Sequence, residues 1–187
     1  EIIPQVVKAI KEDRKGNEKI IVEPENCPIC NHKLEREEGL VDIKCVNEEC
    51  PAKIQGEIEY FVSRDALNIM GLGSKIVEKF IELGYIKNVA DIYDLKNHRE
   101  DLEKLDKMGK KSIDNLLSSI ENSKTREYDK VIYSLGISFI GKVASKILAK
   151  SSKNIDNLSK MSFEELTTID GIGEIAANEI IAFFKKE

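Results

Sequence analysis

Four cysteines stand in CPICNHKLEREEGLVDIKCVNEEC, residues 27–50. Cys27 and Cys30 form C-x2-C, Cys45 and Cys50 form C-x4-C, and fourteen residues separate the pairs. Charged residues surround them and few apolar ones lie between, so this segment cannot hold itself together around an oily core. Two close pairs suit a tetrahedral zinc ion. Each pair sits on a tight turn and offers two sulfurs, and the insert brings the pairs together. Pro28 and Pro51 each follow a cysteine and stiffen those turns. A catalytic zinc keeps one position open, whereas four thiolates close the site, so the expected metal is structural. Lys33, Lys44 and Lys53 are placed to offset part of the surplus negative charge. Two disulfides are the alternative, and a reducing compartment favours zinc over them. His32 is either a spare ligand or an exposed turn residue.

A second kind of chemistry is spread along residues 61–187. An apolar residue followed by Gly, opening a helix, recurs at Leu72-Gly73, Met108-Gly109, Ile140-Gly141 and Ile172-Gly173, at steps of 36, 32 and 32 residues. Gly71-Leu72-Gly73 and Gly171-Ile172-Gly173 have the full Gly-apolar-Gly form. The other two copies carry Lys107 and Phe139 where the first Gly would be. At the opening of a helix several backbone N–H groups are unpaired and the helix dipole is positive. Glycine has no side chain there, so a phosphate can approach the backbone closely. The apolar residue plugs into the corner and fixes the turn. Lys75, Lys110, Lys111 and Lys142 lie just past three of the turns and could add charge at a phosphate. The fourth has Glu174 there and must lean on backbone donors or bind nothing. The alternative for any one glycine is a plain helix corner. Four in register favour phosphate seats.

The elements that must position these groups are mostly helical. FVSRDALNIMGLGSKIVEKFIELG reads as helix, tight turn, helix, with Ser63 and Ser74 as caps and Gly84 as a stop. KKSIDNLLSSI, KVASKILAK and EIAANEIIAFF follow the other three turns. Ile76, Ser112, Ala144 and Ala176 each stand three residues past the Gly. Three of them are small, which suits close packing of two helices. NVADIYDL reads as a short helix capped by Asn88, and TREYDKVIYSLG as a central helix burying Val131, Ile132 and Leu135. Ser162 to Glu165 form a capping box. LVDIKCV reads as a short strand, and IIPQVV and KIIVEP as candidate strands. The aromatic residues read as core, and His98 is assigned no role.

Composition bounds the class. Of 187 residues, 41% are hydrophobic and 34% charged, which suits a soluble helix-rich protein rather than a disordered one. No apolar run is long enough for a membrane span, and the first residues lack the pattern of a signal peptide. A cytoplasmic setting with no membrane partner is expected. Net charge is -5, which taken alone argues against nucleic acid. Residues 1–60 hold 9 Lys+Arg against 14 Asp+Glu, while residues 61–187 hold 20 of each. Basic patches are therefore sought locally in the second region.

Taken in order, CPIC, KCVNEECPAK, FVSRDALNIMGLG, LEKLDKMGKKSIDNLLSSIENSK, YSLGISFIG and IDGIGEIAANEI resemble the C-terminal half of bacterial NAD-dependent DNA ligases. EIIPQVV is similar to the end of that family's oligonucleotide-binding (OB) barrel. The resemblance implies a mainly α fold, with a small four-cysteine zinc finger followed by a domain of four helix-hairpin-helix motifs. It implies a remnant of the OB domain over 1–24, the finger over 25–56 and the DNA-binding domain over 57–187. By motif position, Cys27, Cys30, Cys45 and Cys50 hold zinc, and the turns at Gly71 to Gly73, Met108 to Gly109, Ile140 to Gly141 and Ile172 to Gly173 face duplex DNA. In this family the enzyme closes on nicked duplex and the hairpins grip it through the minor groove, in DNA replication and repair.

The sequence departs from the family in places. Ser138 and Phe139 stand where a basic residue and a His are common, and Met70 replaces a common acidic residue. No K-x-D-G adenylation motif occurs. Thr168 holds the lysine position of the nearest match, TIDG. NAD and magnesium would therefore be bound outside this chain, by the missing adenylation domain, and this chain would be a non-catalytic monomer that grips the backbone without reading sequence. Rival readings are a stand-alone structure-specific DNA-binding module, such as a nuclease accessory, and a protein-interaction module in which zinc and hairpins are purely architectural.

Overall fold

A computed structural model describes residues 5, 7–36 and 41–185. The chain divides into two compact units, Glu1–Asn47 and Glu48–Glu187. The first unit contains a short antiparallel pair, β1 (Leu34–Arg36) and β2 (Ile43–Cys45), in which Leu34 faces Cys45 and Arg36 faces Ile43. An isolated bridge joins Asn26 to Lys33. Arg36 reaches Glu23 at 3.0 Å and the carbonyl of Val41. The expected strand in KIIVEP does not form. With no strand to pair with, Ile20, Ile21 and Val22 stay at least 80% exposed. IIPQVV falls largely outside the described residues.

The second unit is helical: α1 (Pro51–Val62), α2 (Ser74–Glu82), a 3-10 segment (Ala90–His98), α3 (Arg99–Leu102), α4 (Lys110–Ser123), α5 (Tyr128–Ser134), α6 (Lys142–Ser152), α7 (Ile155–Lys160), α8 (Phe163–Thr167) and α9 (Glu174–Lys185). None of these helices is long and apolar enough to cross a membrane. Two apolar clusters build the unit. One gathers Ile58, Phe61, Phe80, Ile92, Leu95, Ile113 and Leu116 around the first two turns. The other gathers Ile132, Ile140, Leu148, Leu166, Ile172 and Ile180 around the last two. The four hairpins are thus two tandem pairs, each with its own core. Tyr60 of α1 packs on Tyr133 of α5 with ring centroids 5.1 Å apart, and Arg126 donates twice to the Ala66 carbonyl, joining the pairs.

Several expected caps shift. Pro51 opens α1 as its first residue rather than only stiffening a turn, which suits its fixed φ and missing N–H. That helix runs unbroken through residues 56 and 57. It stops at Val62 rather than continuing into RDALNIM, because its buried stripe of Ile54, Ile58, Phe61 and Val62 next meets Asp65. Ser63 therefore ends a helix instead of starting one, and its carbonyl accepts the amides of Ala66 and Asn68. The chain folds back to bury Ala66, Leu67 and Ile69. Gly73, not Ser74, is the N-cap of α2. Val89, not Asn88, is the N-cap of the 3-10 segment, and Asn88 one residue earlier still accepts the amides of Ala90 and Asp91 on its side chain at 2.9 and 3.3 Å. The Ser162–Glu165 capping box is present. Val131 and Leu135 are half-buried beside the fully buried Ile132.

Candidate metal centre and nucleic-acid interface

The first cysteine turn is closed by backbone bonds. The Cys27 amide donates to the His32 carbonyl at 2.7 Å, and the Asn31 amide to the Cys27 carbonyl at 2.9 Å, with Asn31 in the left-handed region at φ 58. β2 delivers Cys45. Cys50 is the N-cap of α1, and its carbonyl accepts the amides of Lys53 and Ile54. A thiolate there gains from the positive end of the helix. The four sulfurs lie within 4.8 Å of one another, with Cys30 and Cys45 at 3.5 Å. Sulfurs bound to zinc at about 2.3 Å in a tetrahedron stand roughly 3.8 Å apart, so this set suits the ion after shifts of an ångström or less. No disulfide joins them. A backbone hydrogen bond from His32 pulls the Cys30 thiol down to about 6, with help from Asn47. Desolvation pushes Cys45 up to about 12, and Cys27 and Cys30 add to it. The His32 ring is exposed and lies 3.4 Å from the Cys30 carbonyl and 3.3 Å from the Asn47 amide, outside the sulfur cluster.

The four glycine turns share one backbone shape. Gly71, Lys107, Phe139 and Gly171 all have positive φ, at 100, 64, 63 and 89°. The two copies lacking the first Gly therefore keep its conformation. Leu72, Met108, Ile140 and Ile172 are all buried, at 4–5% exposure, as plugs in the corner. Gly73, Gly109 and Gly141 are extended N-caps with no side-chain hydrogen bond, opening α2, α4 and α6, and Gly173 precedes α9 in the same register. All four of these second glycines are exposed. A Cβ built on any of them meets nothing within 4 Å. The close packing lies one residue beyond the expected position. Ile76, Ser112, Ala144 and Ala176 are half-buried or exposed, while Val77, Ile113, Ser145 and Ala177 are fully buried. Four residues, not three, complete the helical turn that returns to the buried side.

Each pair is locked through one glycine. The Cβ position of Gly71 lies 3.4 Å from Leu116 on α4, and the Met70 amide donates to Ser119 at 2.7 Å. The Cβ position of Gly171 lies 2.9 Å from Ile147 on α6. Leu116 and Ile147 are seven and six residues past Gly109 and Gly141, about 9–10 Å along their helices. The two turns of a pair are thus near neighbours.

Charge is uneven around the turns. Lys75, Lys110 and Lys111 are exposed and make no ion pair with a described residue. Lys142 is held by Asp65 at 2.6 Å, which lowers the Asp65 carboxyl and raises the Lys142 ammonium. Asp170 and Glu174 make the fourth turn acidic. Sequence reading passed over Lys146 and Lys150. With Lys142 they recur every four residues on α6, which has no acidic residue, and that spacing was there to be read.

Four clustered sulfurs followed in sequence by paired helix-hairpin-helix units suit a metal-binding finger and a helical binding domain, and comparison with known proteins narrows the class. Residues 26–52 match the NAD-dependent DNA ligase C4 zinc finger domain, residues 63–122 the SAM-like helix-hairpin-helix tandem and residues 130–187 the helix-hairpin-helix motif. The whole chain is 81% identical to a DNA ligase of Fusobacterium nucleatum, 45% to one of Petrotoga mobilis and 43% to one of Bacillus subtilis. It spans 27% of the length of the first and 28% of the other two. The chain resembles part of the NAD-dependent DNA ligases, with their zinc finger and two helix-hairpin-helix tandems.

Proposed function

We propose that this chain is the DNA-gripping part of an NAD-dependent DNA ligase that seals nicks in duplex DNA. The observation that carries the reading is the set of second glycines. Gly73, Gly109 and Gly141 have ordinary extended backbones, at φ -75, -68 and -85°, and Gly73, Gly109, Gly141 and Gly173 all have empty space where a side chain would go. Neither a clash nor a left-handed backbone requires glycine at these four places, although glycine is a better helix N-cap than an apolar residue. A ligand approaching the helix-opening amides from outside does require it, and a phosphate is the group such a corner receives.

Leu72, Met108, Ile140 and Ile172 set the corners. Gly71 and Gly171 give the first and fourth turns their sharpness. Lys75, Lys110, Lys111 and Lys142 neutralise phosphates. Contacts of this kind hold register without reading sequence. The second turn, with two lysines past its glycine, contributes most. The fourth offers only backbone donors against two carboxylates and contributes least. Cys27, Cys30, Cys45 and Cys50 hold a structural zinc that stabilises the finger. No atom of this chain takes part in bond making. NAD and magnesium act in the adenylation domain of the parent enzyme, and this part keeps the nick within that domain's reach.

The test is sealing of nicked duplex by the adenylation half with NAD and magnesium, with and without this chain supplied separately. Restored sealing supports the reading. A chain that binds duplex yet never restores sealing favours a stand-alone DNA-binding module.

A further inference from the structure

Phe139 is poorly explained by its own fold. It holds the left-handed position of the third turn, at φ 63°, where two of the other three turns use glycine. An aromatic residue is strained there. Its side chain is nonetheless 66% exposed, and it joins neither apolar cluster nor any ring contact among the described residues. Val143, two residues past Gly141, is 74% exposed. Two apolar side chains therefore flank one helix-opening glycine and face solvent.

Their surroundings say what would cover them. α6 begins at this turn and carries Lys142, Lys146 and Lys150, all exposed, with no carboxylate on the helix itself; Lys142 is paired with Asp65, and Glu127 and Asp129 share a shallow cleft with Lys146 and Lys150. An apolar protein surface would meet the ammonium groups of Lys146 and Lys150 there, neither of them in an ion pair with a described residue. A nucleic acid offers both complements at once, with phosphates for the lysines and sugar and base edges between them. We propose that Phe139, with Val143 beside it, is an apolar wedge by which the third hairpin enters a groove of bound duplex and packs on sugar and base edges. Apolar side chains used this way widen or unstack a groove at a cost that the new contacts repay. The wedge rests on the reading of this chain as a DNA-binding part, and it adds a contact that salt does not screen.

The experiment uses the zinc-loaded chain, a nicked duplex oligonucleotide and fluorescence anisotropy over a range of salt. Phe139→Gly leaves the turn intact, because glycine takes its φ freely. The thermal midpoint should hold or rise. Duplex affinity should fall at least about fivefold, the lower end of aromatic contacts with bases, with the slope of log affinity against log salt unchanged. Phe139→Lys puts in the residue that the second turn carries at this place, so folding is preserved by precedent. It should bind weakly at high salt, with a slope steeper by about one phosphate. Wild-type affinity in both variants overturns the wedge and leaves the DNA-binding reading standing. A loss accompanied by a shallower slope also overturns it, since the residue would then act through charge. A wild-type chain that does not bind duplex at all overturns both.

Discussion

Gly71 and Gly73 stand two residues apart and are glycine for different reasons. Gly71 has φ 100°, which strains any side chain, and its Cβ position touches Leu116 at 3.4 Å, so larger side chains have no room, whereas Gly73 has φ -75° and open space around it. Gly71→Val should therefore destabilise the fold by about 1–3 kcal/mol, readable as a drop in the thermal midpoint. Gly73→Val should cost no more than the loss of a good N-cap, about 0.5–2 kcal/mol, with the fold kept, while weakening duplex binding about tenfold or more. Gly56→Ala is the control: it lies exposed inside α1 and should gain about 0.5–1 kcal/mol of stability without changing affinity. The repeat was visible in the sequence, but the division of labour between its two glycines was not, because φ and neighbouring atoms belong to the folded chain. The same limit hid Lys107 and Phe139, which keep a glycine conformation without being glycine. The convergence of the four sulfurs was legible outright, since four thiols spaced as two pairs leave few alternatives. Their titration is also testable. Cys30 is lowered to about 6, so its thiolate is present above that pH and lost as pH falls through it. Cys45 is raised to about 12 and stays protonated through neutral pH. Zinc must displace the Cys45 proton, so zinc affinity should rise with pH near neutrality and gain a further proton dependence below about pH 6. Calorimetry in buffers of different ionisation heat would count those protons, and a pH-independent affinity would contradict this.

At the scale of elements, the hairpins work in pairs because one turn of each pair rests on the partner's second helix. Ser119 and Leu116 hold the first turn, and Ile147 holds the fourth. Truncating such a core helix should be costly, and Leu148→Ala, at a fully buried site of α6, should lose about 2–5 kcal/mol in denaturant unfolding. The Asp65–Lys142 pair couples the loop after α1 to the opening of α6 and occupies a lysine that would otherwise face a phosphate. Asp65→Asn should strengthen duplex binding at low salt by about two- to fivefold and change stability little, as exposed pairs contribute little. Weaker binding by that variant would mean that Asp65 positions Lys142 rather than competing for it. Helices after the glycines were legible from their apolar stripes. The 3-10 segment and the early end of α1 were not, because Asp65 breaks the stripe only once the preceding helix is known to start at Pro51.

At the scale of the whole chain, two different devices hold two units. The first unit has a two-stranded sheet and few buried side chains among its described residues, so the proposed zinc would take the place of a core. Removing zinc with a chelator should unfold the finger and leave the helical unit's circular dichroism largely intact. The second unit is held by its two apolar clusters. Its repeat period gave the architecture away at the level of sequence, while the grouping of four hairpins into two tandems needed the contacts. The central claim is that unfilled glycine corners seat DNA phosphates. Its most direct test is the affinity of the wild-type chain, Gly73→Val and Gly109→Val for nicked duplex, measured from low to high salt. The account predicts a steep linear fall of log affinity with log salt for the wild type, and weaker binding with the fold retained for both variants. Variants that stay folded and bind as tightly as the wild type at every salt concentration would contradict it.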